Sequence, residues 1–114
     1  MDYENFLDEI LKISSKIRYA GIYDEGKFHH KTQKEVKSYL TEEETETNLS
    51  QVVYRWSTRK KMGSKIGKPI FSMTKYEKVY RLTFPLNGAG LILVSIELEL
   101  DPLDIVDKVL ELKT

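Results

Sequence analysis

In this 114-residue chain the arrangement of the residues that could do covalent or metal chemistry argues against both. The two histidines are an adjacent pair, His29-His30. Neighbouring strand residues point to opposite faces, so the pair cannot chelate one ion through both rings. Cysteine is absent, which excludes thiolate nucleophiles, disulfides and zinc sites built on thiolates. The serines, Ser57 and Ser95 among them, lack the glycine-flanked elbow that exposes a nucleophile. Asn87-Gly88-Ala89-Gly90 is glycine-rich, but it joins two strand-like segments. It therefore lacks the helix N-terminus that gives phosphate loops their anion affinity. No catalytic residue, metal site or cofactor is expected, and the chain reads as a non-enzyme.

The chemistry that remains is that of surfaces. Arg55, Arg59, Lys60, Lys61, Lys65 and Lys68 gather in one stretch, with Tyr54 and Trp56 interleaved. On one reading, Arg55, Arg59, Lys60, Lys61 and Lys65 form an anion-binding patch for nucleic acid, a nucleotide or an acidic protein. On the other, they are a solvated helix face whose cations complement the macrodipole. The chain carries 18 basic and 18 acidic residues, which disfavours bulk binding to nucleic acid or to an anionic membrane. Tyr54, Thr58, Met62 and Lys65 form a second, mixed face. That face is a candidate dimer or partner surface.

Both faces lie on Thr41 to Lys68, which reads as one long amphipathic helix lying across a small sheet. Thr41 with Glu44 is a capping-box pattern. Leu49, Val52, Val53, Trp56, Gly63 and Ile66 make one stripe on a helical wheel. Gly63 would permit close approach to the sheet, Lys60 would snorkel beyond Trp56, and Gly67-Lys68-Pro69 ends the helix. A helix of about 25 residues is roughly 37 Å long, enough to span a domain of this size. Its acidic start and basic end suit antiparallel self-association.

The remaining elements follow from periodicity. Residues 2–16 predict a helix capped by Asp2. Residues 17–31 predict a hairpin turning at Asp24-Glu25-Gly26-Lys27. Residues 32–40 read either as one helical turn or as an ordered loop. Strands follow at 70–74 and 79–84. Asn87-Gly88 turns the chain into the longest strand, Leu91 to Leu100, whose first half is apolar on both faces and so should be central. Asp101-Pro102 opens a last helix with Leu103, Val106, Val109 and Leu110 inward and Ile105 and Leu112 beside that stripe. The result is a single α+β domain over residues 1–114, of order αββαβββα. The N-terminus lacks a signal-like apolar stretch, and no apolar run approaches the ~20 residues of a membrane span, so a cytoplasmic setting is expected.

That element order resembles the Roadblock/longin branch of the profilin-like fold, a five-stranded antiparallel sheet with helices on both faces. The resemblance implies strand order 2-1-5-4-3. It also implies a homodimer built from the long helix and the edge strand beside it, and non-enzymatic work such as scaffolding or regulating a small GTPase. The stretches Tyr19-Ala20-Gly21-Ile22-Tyr23-Asp24, Arg55-Trp56-Ser57-Thr58-Arg59-Lys60 and Tyr76-Glu77-Lys78-Val79 are also similar to a small family from ammonia-oxidising archaea. That likeness implies an archaeal, cytoplasmic protein and brings no activity with it. A competing reading is a small-molecule sensor, with a cavity lined by Tyr19, Tyr23, Phe71, Tyr80 or Trp56. Weak nucleic-acid binding through the basic half of the long helix is a further alternative.

Overall fold

The computed structural model describes residues 2–86 and 89–113. The elements are α1 (Tyr3–Ile13), β1 (Ile17–Asp24), β2 (Lys27–Thr32), α2 (Glu42–Lys60), α3 (Gly63–Ile66), β3 (Ser72–Lys75), β4 (Val79–Pro85), β5 (Leu91–Glu97) and α4 (Pro102–Lys113). They form two compact units. One comprises residues 1–36 with 71–114, and the other residues 37–70.

The first unit holds an antiparallel sheet in the order β2-β1-β5-β4-β3, with β5 central. Its position follows from composition. Leu91, Ile92, Leu93 and Val94 are all buried, so both faces of that strand leave water. Pairing aligns Ile22 with Ile92 and Phe84, and Ala20 with Val94 and Leu82, on one face. Phe6, Leu7 and Ile10 of α1 and Ile105, Val106 and Val109 of α4 join these residues in one apolar core. Each fully buried aliphatic side chain there contributes roughly 1.5–3 kcal/mol.

Local chemistry sets the boundaries. The Asp2 side chain accepts from the Asn5 amide and caps α1. Tyr3 Oη donates to Asp24 Oδ2, and Lys31 Nζ lies 2.9 Å from both Glu4 and Asp8, tying α1 to the first hairpin. Glu25 and Gly26 both have positive φ (50° and 78°), the signature of a two-residue type I′ turn. Residues 33–40 form a loop rather than a helical turn. Gln33 Nε2 donates to the carbonyls of Leu11, Ser14 and Ile17 and so satisfies the end of α1.

Several expectations need correction. The last strand ends at Glu97, where the chain turns with Leu100 N–H donating to the Glu97 carbonyl, so β1 is longer than β5. Leu103 is exposed, and the inward stripe of α4 runs through Ile105, Val106 and Val109. The Asn87-Gly88 turn lies outside the described residues. Between Ile17 and Tyr19 the β1–β5 register shifts, a bulge at Arg18 that the alternation of residue types did not announce.

In the second unit the expected single helix is interrupted. It breaks after Lys60, where the Met62 amide donates to the Arg59 carbonyl in a tighter i→i−3 turn before α3 begins. At 19 residues, α2 is about 28 Å long. A Cβ on Gly63 would come no closer than 3.8 Å to another atom, so close packing is not what calls for glycine there. Glycine instead weakens the helix at the point where it breaks. Ile66, expected on the inward stripe, is 76% exposed.

Candidate interaction surface

The start of α2 is fixed by its cap. Thr41 Oγ1 accepts from the Glu44 amide, and Glu44 Oε1 accepts from the Thr41 amide. Glu42, Glu43 and Glu44 fill the first turn, and Arg59 and Lys60 the last, in the order the helix dipole favours. Within the helix, Val52 and Trp56 are buried, with Leu49 and Val53 half-buried beside them. The inward stripe therefore ends where the helix does.

The two candidate faces lie outside that stripe. Tyr54 is 75% exposed and Met62 55%, while Thr58 and Lys65 are also exposed. Thr58 Oγ1 donates to the Tyr54 carbonyl, which holds that part of the face on one helical ridge. Ile66 and Ile70, outside that face on the sequence reading, are exposed as well. Tyr54, Thr58, Met62, Ile66 and Ile70 recur at every fourth residue in the sequence, but α2 ends at Lys60 and Ile70 lies outside any helix. The spacing was legible in the sequence, but the assumption of one unbroken helix placed Ile66 on the wrong side.

Arg55, Arg59, Lys60, Lys61 and Lys65 are all exposed. Arg59 Cζ lies 6.0 Å from the centroid of the Trp56 ring, so this guanidinium is partly committed to a cation–π contact. From Thr47 to Tyr76 the chain contains no acidic residue. The patch is therefore locally cationic although the chain as a whole is neutral.

On the sheet, the two histidines point to opposite faces, as adjacent strand residues must. The His29 ring packs 5.0 Å from that of Tyr3, while His30 stacks on Phe28 at 4.8 Å and lies 5.6 Å from Tyr19. Among the described residues no group of three or more His, Asp or Glu is placed to hold a metal ion. Nor is any helix among them long and apolar enough to cross a membrane. The residues expected to line one ligand cavity are divided between the two faces of the sheet. Phe71 and Tyr80 pack against the core with Phe84, whereas Tyr19 and Tyr23 alternate to the other face. Around Tyr19 the structure shows something the sequence did not. Gly21 leaves room for the Phe28 ring and for Tyr19 Oη, which would lie 2.9 Å and 3.2 Å from a Cβ at that position. Tyr19 Oη is buried without a hydrogen-bond partner. Burial pushes its pKa well above the ordinary tyrosine value, and the positive charge of Arg81 partly opposes the shift.

The fold is similar to solved structures over nearly the whole chain. The chain has a Roadblock/LC7 fold. It is similar to the gliding protein MglB from Thermus thermophilus, with a TM-score of 0.71 and 19% identity over 96% of this chain and 82% of that one. The Roadblock/LC7 domain from Streptomyces avermitilis superposes with a TM-score of 0.73 at 9% identity, covering 98% of this chain and 92% of that one. An MglB structure with a tetrameric arrangement gives a TM-score of 0.72 at 19% identity, over 96% and 82% of the two chains. No protein-family model matches the sequence, and no curated protein is similar to it in sequence.

Proposed function

We propose that this protein is a non-catalytic homodimeric scaffold or regulatory module that acts as a single domain and self-associates through the second unit. The observation that carries this reading is the exposed ridge of Tyr54, Thr58 and Met62, flanked by Lys65, with Ile66 and Ile70 also exposed farther along the same unit. Large apolar side chains left in water favour burial against a matching surface. The chemistry at the two ends of α2 supports an antiparallel partner, because Glu42, Glu43 and Glu44 of one copy would meet Arg59 and Lys60 of the other. The fold likeness adds support, since one of the similar structures has a tetrameric arrangement.

The basic patch of Arg55, Arg59, Lys60, Lys61 and Lys65 then serves a second partner with an acidic surface. The Roadblock likeness favours a small GTPase in that role, within the cytoplasm of an archaeon. Nucleic acid is the weaker reading. Binding of a mixed-sequence oligonucleotide with a steep salt dependence would displace the acidic protein in its favour.

The test is a double charge insertion, Tyr54→Glu with Ile66→Glu, examined by size-exclusion chromatography. Wild-type protein should elute as a dimer and the variant as a folded monomer. Identical elution of the two would remove the ridge from the interface.

A further inference from the structure

Strand pairing aligns five polar residues in one row across the sheet: Thr32, Tyr19, Ser95, Arg81 and Thr74. The row lies on the face opposite the packed core, because its members alternate with Ala20, Leu82 and Val94. At its centre, hydrogen-bond donors lack acceptors. Tyr19 Oη is buried without a partner. Arg81 is half-buried in mid-strand, and none of the ion pairs among the described residues includes it. Glu97 is the acid nearest along β5 on the same face, and it is held by Arg18 at 2.8 Å. Between Tyr19 and Arg81 the row offers only the Ser95 hydroxyl, which both strands pair against.

A forked guanidinium on the same row as a hydroxyl donor, with its positive charge acting on that hydroxyl, suits a planar or tetrahedral oxyanion. We propose that the Tyr19–Ser95–Arg81 row binds the oxyanion group, carboxylate or phosphate, of a small ligand. Arg81 supplies the charge and the fork, Tyr19 donates a hydrogen bond, and Ser95 completes the row. One row along, Leu93 and His30, with the Phe28 ring stacked on His30, offer a wall to the body of the ligand. Gly21 is part of the same design, since a side chain there would displace both Phe28 and the Tyr19 hydroxyl.

The experiment follows the tyrosine ring signals by NMR in the full chain, with Tyr19 assigned through the Tyr19→Phe variant. Sodium acetate and sodium phosphate are titrated separately at constant ionic strength, with sodium chloride as the control. A saturable shift of the Tyr19 signal is expected with one or both oxyanions and not with chloride. Acetate alone would identify a carboxylate ligand and phosphate alone a phosphorylated one. Arg81→Gln should weaken the response at least about tenfold. Should that variant fail to fold, Arg81→Lys keeps the charge, removes the planar fork and should weaken it in the same direction. No saturable shift with either oxyanion, or an equal response in the Arg81 variants, overturns the proposal. The readout reports on the sheet face alone, so it stands or falls separately from the dimer.

Discussion

Arg18 reaches across the β1–β5 seam to Glu97, with Nη1 and Oε1 2.8 Å apart, at the point where the register of the sheet shifts. Their side chains are only 12% and 29% exposed. The pair thus lies between a surface salt bridge, worth little, and a buried one, whose disruption is costly. Glu97→Ala should lower stability by about 1–2 kcal/mol, because it removes a charge-assisted hydrogen bond from a largely buried guanidinium. Urea unfolding of the variant checks this. A midpoint equal to wild type would make the pair a bystander of the bulge.

Gly21 is needed for space rather than for backbone freedom. A methyl group there would sit 2.9 Å from Phe28 Cε1. Gly21→Ala should destabilise the fold by about 1–3 kcal/mol, as overpacking does. Adding Phe28→Leu should recover part of that loss, and thermal unfolding of the single and double variants measures the coupling.

The sheet was legible in the sequence where composition forces a position. Leu91 to Val94 is apolar on both faces and can only be central, and Glu25-Gly26 can only be a tight turn. Asp2, Thr41 and Asp101 announce helix starts, because their side-chain oxygens must accept from the first amides. Features set by three-dimensional crowding were not legible. The role of Gly21 depends on which strand brings Phe28 over it, and the bulge at Arg18 depends on a partner 79 residues away. The break after Lys60 was signalled by Gly63, but that glycine could equally be read as a packing device. The ridge was legible in part. Tyr54, Thr58 and Met62 read as open and are so, whereas Ile66 reads as inward only by extending a helix that stops short of it.

Thr41→Ala should remove one half of the reciprocal cap and cost α2 about 1 kcal/mol. The effect should be local. Amide exchange in the first turns of α2 should quicken about fivefold, with the sheet amides unchanged. Equal acceleration throughout the chain would mean that the cap controls global stability instead.

Tyr19 should make stability fall at alkaline pH. Below about pH 10 the residue is protonated in both folded and unfolded chains and has no effect. Its folded pKa is raised by burial. As pH climbs past the ordinary tyrosine value, the unfolded chain loses this proton while the folded chain keeps it, so unfolding becomes easier. Tyr19→Phe should flatten that part of the profile relative to wild type. At neutral pH, without ligand, it should cost little, since the hydroxyl removed has no partner. Denaturant midpoints of both proteins from pH 7 to above pH 10 give the comparison. Parallel profiles would show that the hydroxyl ionises as freely as in water.

Self-association through the α2–α3 ridge is the claim on which the functional reading rests. Multi-angle light scattering of the wild-type chain across micromolar concentrations tests it most directly. The account predicts twice the 13.3 kDa chain mass, falling toward one chain mass only on dilution. A single chain mass at every concentration would contradict it.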